Sequence, residues 1–343
     1  MTFLIVIIVL ALIFDYINGF HDAANSIATV VSTKVLTPLQ AVIWAATFNF
    51  LAFFVAKYII GEFGIADTVS KTVLEQYVTL PIVFSGLVAA IIWNLITWWF
   101  GIPSSSSHTL ISALAGAAIA ASGISAVHLS TIGIIALFIV LAPLIGMIRG
   151  LIVSILTLHG AKNATPAKAN SWFKRLQLVS SAFLSMGQGL NDSQKVMGVI
   201  AVALISFSAN NAELLPSYLH MESMADMHDW IPFSCFAAIA LGTLSGGLKI
   251  IKTMGSSITK ITPPEGFAAQ TASAFTLFFV QIFKIPVSTT HVVTGSIMGV
   301  GSVKRLSAVR WGVTRKLAVA WIITIPISAA IAAITYWVVM LFM

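Results

Sequence analysis

The sequence predicts an all-α polytopic membrane protein of two inverted repeats, with broken helices, re-entrant hairpins and about 10–12 membrane segments. Three observations carry this. The 343 residues are 58% hydrophobic and only 8% charged, with a mean hydropathy of +0.99, whereas soluble domains carry about 25% charged residues. Apolar runs of near-spanning length follow one another along the whole chain. Two polar motifs, out of place in such runs, each occur twice and in the same order.

Apolar segments run 3–31, 39–60, 80–99, 107–122, 130–157, 177–207, 231–248, 266–283, 288–302 and 317–342. No positive residue precedes the first and no small-residue cleavage site follows it, so it reads as a retained helix, not a signal peptide. The segments 107–122 and 288–302 are short, rich in small residues and preceded by a polar proline turn. Each therefore reads as half of a re-entrant hairpin. A hairpin goes in and comes back, so each half of the chain crosses an odd number of times.

Loop charge sets the orientation. One set of loops holds Lys34, Lys162, Lys168, Lys174, Arg175, Lys249, Lys252, Lys260, Lys304, Arg305, Arg310, Arg315 and Lys316. The alternate set holds Glu62, Asp67, Glu75, Glu213, Glu222, Asp226 and Asp229, with Lys71 its one clear base. The positive-inside rule puts the first set in the cytoplasm and both termini outside, in the cell's inner (plasma) membrane. The formal charge of +7 is thus a topology signal, and nucleic acid is not an expected partner; the bilayer is. The one cysteine, Cys235, excludes an intramolecular disulfide and a cysteine metal cluster. No cofactor is expected.

Gly19-Phe20-His21-Asp22 recurs as Gly189-Leu190-Asn191-Asp192, and Ile102-Pro103-Ser104-Ser105-Ser106-Ser107-His108 recurs as Ile285-Pro286-Val287-Ser288-Thr289-Thr290-His291. The expected organisation is a first repeat over 1–157, a basic cytoplasmic linker over 158–175 and a second repeat over 176–343. With odd crossings in each half, the second repeat is inverted relative to the first. Such an architecture brings interrupted helices together near the midplane around a shared site.

The first repeat places Asn18, Asp22, Asn25, Ser26 and Thr29 at i, i+4, i+7, i+8 and i+11, on one helical face. A carboxylate inside a span costs several kcal/mol unless paired, hydrated or neutralised, so it marks function by default. These groups suit a dehydrated cation or a hydrogen-bonded polyatomic ion; Asp22 and Asn25 would supply part of a sodium site. The competing reading is a polar stripe that glues helices together. His21 points about 100° away from Asp22 and is expected to face another neighbour. Asp15 is expected nearer the outer interface.

Each proline turn, at Pro103 and Pro286, puts three or four hydroxyl or small residues and a histidine at a helix start. Unpaired N–H groups and a positive dipole end make such a start an anion site. Two of them facing each other would clamp a tetrahedral oxyanion. Hydroxyls both donate and accept, which suits phosphate with its protons. The competing reading is ordinary N-capping by Ser104 or Ser288. His108 and His291 are expected to bond backbone carbonyls and, with the prolines, hold the hairpin tips.

The second copy differs from the first where Lys195 replaces the counterpart of Asn25. Asp192 and Lys195 are i and i+3, a spacing that permits an ion pair. A lysine in a dry site changes its protonation readily, so the pair is either a proton-exchanging element or a static tie between helices.

Asn18 to Ser26, Gly189-Leu190-Asn191-Asp192, both proline turns and Ala90-Ile91-Ile92-Trp93-Asn94 together resemble the inorganic phosphate transporter (Pit) family, bacterial branch, over nearly the whole chain. The resemblance implies a cation-coupled phosphate symporter built as an inverted repeat and working as a homodimer. It implies that Ser105, Ser106, Ser107, Ser288, Thr289 and Thr290 bind phosphate. It further implies that Asp22, Asn25, Asn191 and Asp192 complete the site and handle the cation. Sodium-coupled members tend to carry Asn-Asp-x-Ala-Asn in both halves. Here the second half reads Asn191-Asp192-Ser193-Gln194-Lys195, which favours H+ over Na+ as coupling ion. The substrate is either free phosphate or a metal–phosphate complex. The alternatives are a carrier or channel for another oxyanion, such as sulfate, and an intramembrane serine hydrolase using Ser104–Ser107 with His108. The hydrolase lacks a Gly-x-Ser-x-Gly elbow and has no use for a second turn, so no enzyme is expected.

Overall fold

The computed structural model describes residues 1–211, 213, 215–246, 250, 251 and 253–343. Lys249 and Lys252 of the expected basic loops lie outside the described residues. Among the described residues the fold is helical, with one isolated β-bridge between Val73 and Val127.

The helices are α1 (Thr2–Ser32), α2 (Pro38–Val55), α3 (Gly64–Ser70), α4 (Leu80–Trp99), α5 (Ser106–Ser122) and α6 (Leu129–Gly160). After them come α7 (Pro166–Asn211), α8 (Trp230–Ser245), α9 (Pro263–Ile282), α10 (Thr289–Lys304) and α11 (Trp311–Met340). Six are long and apolar enough to cross a membrane: α1, α2 with its π-helical extension to Ile60, α4, α6, α7 and α11.

Local chemistry explains the helix starts. Thr37 and Gln40 form a capping box ahead of Pro38, and Thr262 and Glu265 form one ahead of Pro263. Each box satisfies two otherwise orphaned donors at a helix N-terminus. The expected linker 158–175 is mostly helix: α6 runs to Gly160 and α7 starts at Pro166, leaving only 161–165 between them. Proline at a first helical position and alanine and lysine just after it favour an early start.

Helix packing in a bilayer depends on close approach of small residues, since lipid tails are as apolar as leucine. The α6–α10 crossing shows this. A Cβ at Gly295 or Gly299 would lie 2.1 or 2.0 Å from the Pro143 or Met147 carbonyl oxygen. On the other helix a Cβ at Gly146 or Gly150 would lie 2.4 or 2.5 Å from the Val292 or Ser296 carbonyl oxygen. Glycines spaced four apart on both helices thus let the backbones touch. The packing is reciprocal along the chain: α5 packs on α4 and α11, and α10 packs on α9 and α6. Likewise α1 packs on α8, and α7 on α2.

Both hairpins close at their open ends. Around α4 and α5, the Leu74 amide donates to Ala126 O at 2.9 Å and the His128 amide to Thr72 O at 3.2 Å. Around α9 and α10, the Arg310 amide donates to Ile258 O at 2.9 Å, and Lys304 pairs with Glu265 at 2.5 Å. The first hairpin opens beside Glu75, where Asp67 and Glu222 line the same groove. The second opens at the end bearing Lys304. The acid-rich end also holds two lysines beyond Lys71: Lys57 pairs with Asp229 at 2.7 Å and Lys284 with Glu62 at 2.9 Å. Paired in this way, they leave that end acidic.

Candidate substrate site

The middle of α1 and the middle of α7 cross the starts of α5 and α10 at the centre of the molecule. Every polar residue of the α1 stripe, Asn18, Asp22, Asn25, Ser26 and Thr29, is buried. So are Asn191, Asp192 and Lys195 on α7, and Ser105, Ser106, Ser107, Ser288, Thr289 and Thr290 in the two turns.

One network joins seven of these residues. The Thr289 hydroxyl lies 3.2 Å from Asp22 Oδ2 and 3.4 Å from Asp192 Oδ2. The Thr290 hydroxyl lies 3.4 Å from Asp22 Oδ1, and Asn25 Nδ2 donates to Thr290 Oγ1 at 2.9 Å and to Thr289 Oγ1 at 3.4 Å. Lys195 Nζ donates to Asp192 Oδ1 at 2.7 Å, to Val287 O at 3.0 Å and to Ser107 Oγ. The ammonium has three donors, and all three are used. Ser107 Oγ in turn donates to Val287 O at 3.2 Å, so the two turns touch.

The remaining hydroxyls divide. Ser105 and Ser288 are the N-caps, accepting from the His108 amide at 3.2 Å and the His291 amide at 3.3 Å. The capping reading thus holds for Ser288, and Ser105 takes the part expected of Ser104. Ser106 Oγ and both polar atoms of the Asn191 side chain are buried without a hydrogen-bond partner. Asn191 therefore joins none of the bonds that link the other residues. Pro103 and Pro286 are buried, and Trp321 Nε1 on α11 donates to Pro103 O at 3.0 Å.

Two expectations need correction. His108 does not tie its hairpin tip to a carbonyl: neither ring nitrogen has a hydrogen-bond partner. Its ring centroid instead lies 4.9 Å from that of His291, which is also 3.9 Å from Trp321. The converging helix starts bring the two rings together. His21 is not turned away from Asp22. Its Nδ1 lies 3.0 Å from Asp22 Oδ1, because the side chain bends back along the helix. Its Nε2 lies 3.2 Å from Thr97 Oγ1 and 3.4 Å from Ser104 Oγ, which places His21 and Thr97 of α4 in the site. Asp15 is fully buried, with neither oxygen bonded; the packing of α8 and α7 on α1 encloses it.

An enclosed cluster of acids, one base and hydroxyls at the crossing of broken helices, within an all-helical multi-pass membrane protein, defines the transporter class. The sequence matches the phosphate transporter family model over residues 18–332. A probable low-affinity inorganic phosphate transporter of Rhizobium meliloti (strain 1021) is 46% identical, with 97% of this chain and 96% of that one covered. A protein of the same description from Bacillus subtilis (strain 168) is 44% identical over the same shares. Among solved structures, one titled "The sodium-dependent phosphate transporter" has the same fold, with a TM-score of 0.84 at 24% identity and full coverage of both chains. The chain belongs to the phosphate transporter family. Its relatives are transporters, not enzymes, and the hydrolase reading falls with that.

Proposed function

We propose that the protein is a secondary active symporter that moves inorganic phosphate into the cell with a coupling cation, H+ in preference to Na+. The observation that carries this is the single network through Thr289, which links a carboxylate of α1 to a carboxylate of α7 and touches both helix starts. The chemistry then follows. Backbone N–H groups at the starts of α5 and α10, with the hydroxyls of Ser106, Ser107, Thr289 and Thr290, suit the oxygens of a phosphate. Two carboxylates beside one ammonium repel an anion. A cation taken up at Asp22 removes that repulsion, so anion and cation each raise the other's affinity, as linkage requires.

Two features favour the proton. The Lys195 ammonium fills the place beside Asp192 where a second sodium would sit. His21, whose ring has one nitrogen that can donate and one that can accept, bonds Asp22 on one side and two hydroxyls on the other. The names of the relatives support phosphate over sulfate. Either free phosphate or a metal–phosphate complex remains compatible with this chemistry.

On the same reading the repeats, 1–157 and 176–343, are inverted. Reciprocal packing and hairpins that open at opposite ends support this. Both termini are then extracytoplasmic, in the inner (plasma) membrane. The homodimer rests on the family likeness.

Radiolabelled phosphate uptake into proteoliposomes tests the coupling. Accumulation driven by an inward pH gradient with no sodium present is expected. A strict requirement for sodium at constant pH would overturn the proton reading, and indifference to phosphate with sulfate transported would overturn the substrate.

A further inference from the structure

Between the site and the basic end of the molecule, the seam of α1, α7 and α9 carries a continuous file of buried hydrogen bonds. Gln188 Nε2 on α7 donates to Asp22 O at 3.0 Å, and its Oε1 accepts from the Ser26 hydroxyl. Gln270 Nε2 on α9 donates to Ser26 O at 3.1 Å. The Ser180 hydroxyl lies 3.2 Å from Gln270 Oε1 and 3.1 Å from Gln177 O. The Thr33 hydroxyl, beside Lys34 at the end of α1, closes the file on Gln177 Oε1 at 3.0 Å. All six side chains are buried.

The opposite direction is different. Toward the acid-rich end, α1 and α7 present Leu4, Ile7, Ala11, Val199, Ile200 and Ala203 to one buried apolar cluster. Asp15, Ser193 and Gln194 are the buried polar residues nearest the site on that side, and none of them bonds across the α1–α7 seam. One side of the site is thus sealed by apolar packing. The other carries, beside apolar residues such as Ala24, Ala28 and Leu184, a chain of hydrogen bonds that water or a hydrated anion can replace one for one.

We propose that this file is the shut form of the route by which phosphate leaves toward the basic end, with Gln188 and Gln270 as its gate; the inference rests on the transport reading above. Two observations favour it over helix glue, in which the polar groups are bonded across the helices. Ser181 and Ser185 on α7, and Thr29 on α1, add buried hydroxyls along the same seam with no partner, and Gln177 Nε2 is likewise unused. Moreover, every file residue between Asp22 and Lys34 is neutral. Neutral donors and acceptors hold a passing ion weakly enough for it to leave, as conduction demands.

The test is thiol labelling in a Cys235→Ser background, which removes the one native cysteine. Ser181→Cys and Ser185→Cys are reconstituted with known orientation and treated from the basic-loop side with a membrane-impermeant methanethiosulfonate. Ala11→Cys and Ala203→Cys serve as controls on the sealed side. A single monodisperse peak in size-exclusion chromatography, at the wild-type position, shows that each variant is folded. Labelling at 181 and 185 should be about tenfold or more faster than at 11 and 203, slowed by inorganic phosphate, and should block uptake. Rates no faster than those of the controls, or labelling that phosphate leaves unchanged, would overturn the route. Labelling itself needs no phosphate transport. Fast labelling in a protein that takes up no phosphate would therefore refute the transport reading and leave the opening of the seam standing.

Discussion

Lys195→Met is expected to cost about 3–5 kcal/mol of stability, the usual penalty for removing one partner of a buried ion pair. Lys195 and Asp192 are 2% and 1% exposed, so solvent cannot compensate the carboxylate left behind. The substitution also removes the ammonium's bonds to Val287 O and Ser107 Oγ, leaving the Ser107 Oγ–Val287 O bond alone to join the two turns. The double variant Asp192→Asn, Lys195→Met removes the uncompensated charge and should recover most of the stability, measured by thermal unfolding in detergent. Transport should stay lost in both. A single variant that unfolds like the wild type would show that the pair is not the keystone of α7, α5 and α10. A double variant that transports would make it a static tie and remove the support it gives to proton coupling.

Asp22→Asn should abolish gradient-driven accumulation while leaving the fold intact. The amide keeps the shape of the carboxyl but has one acceptor oxygen where Thr289 and Thr290 use two, and it can neither take up a proton nor offer a cation a negative charge. The charge-assisted bonds it weakens are worth about 1.5–3 kcal/mol each, which corresponds to roughly 10–100-fold per bond in affinity. His21 loses its carboxylate partner at the same time. Uptake by Asp22→Asn under an imposed gradient, at more than a few per cent of the wild-type rate by the same arithmetic, would mean that coupling resides elsewhere.

How far the sequence discloses this arrangement depends on distance along the chain. The α1 stripe and the two turns are legible because helical spacing and a repeated motif are local properties, and the Asp192–Lys195 pair follows from i, i+3 geometry. That Thr289 meets both Asp22 and Asp192 is not legible, since it takes the crossing of three helices far apart in sequence. The same holds for Thr97, Gln188 and Gln270. Each is an ordinary polar residue in an apolar helix, and only its tertiary neighbour gives it a role. Gln188 does offer one signal, as the counterpart of Asn18 in the second copy. The error over His21 has a simple cause: angular position on a helix says where a Cβ points, not where a long side chain ends. The helix over most of 158–175 is hidden by composition, because its basic residues draw the eye while its alanines and Pro166 build helix.

The central claim is that both hydroxyl-bearing helix starts hold one phosphate together. Equilibrium binding of radiolabelled phosphate to purified protein tests it most directly, comparing Ser106→Ala with Ser107→Ala on one turn against Thr289→Val with Thr290→Val on the other. The account predicts that each pair weakens binding by at least about tenfold, since each removes two hydrogen bonds to a charged ligand. Wild-type affinity in either double variant would contradict a shared site.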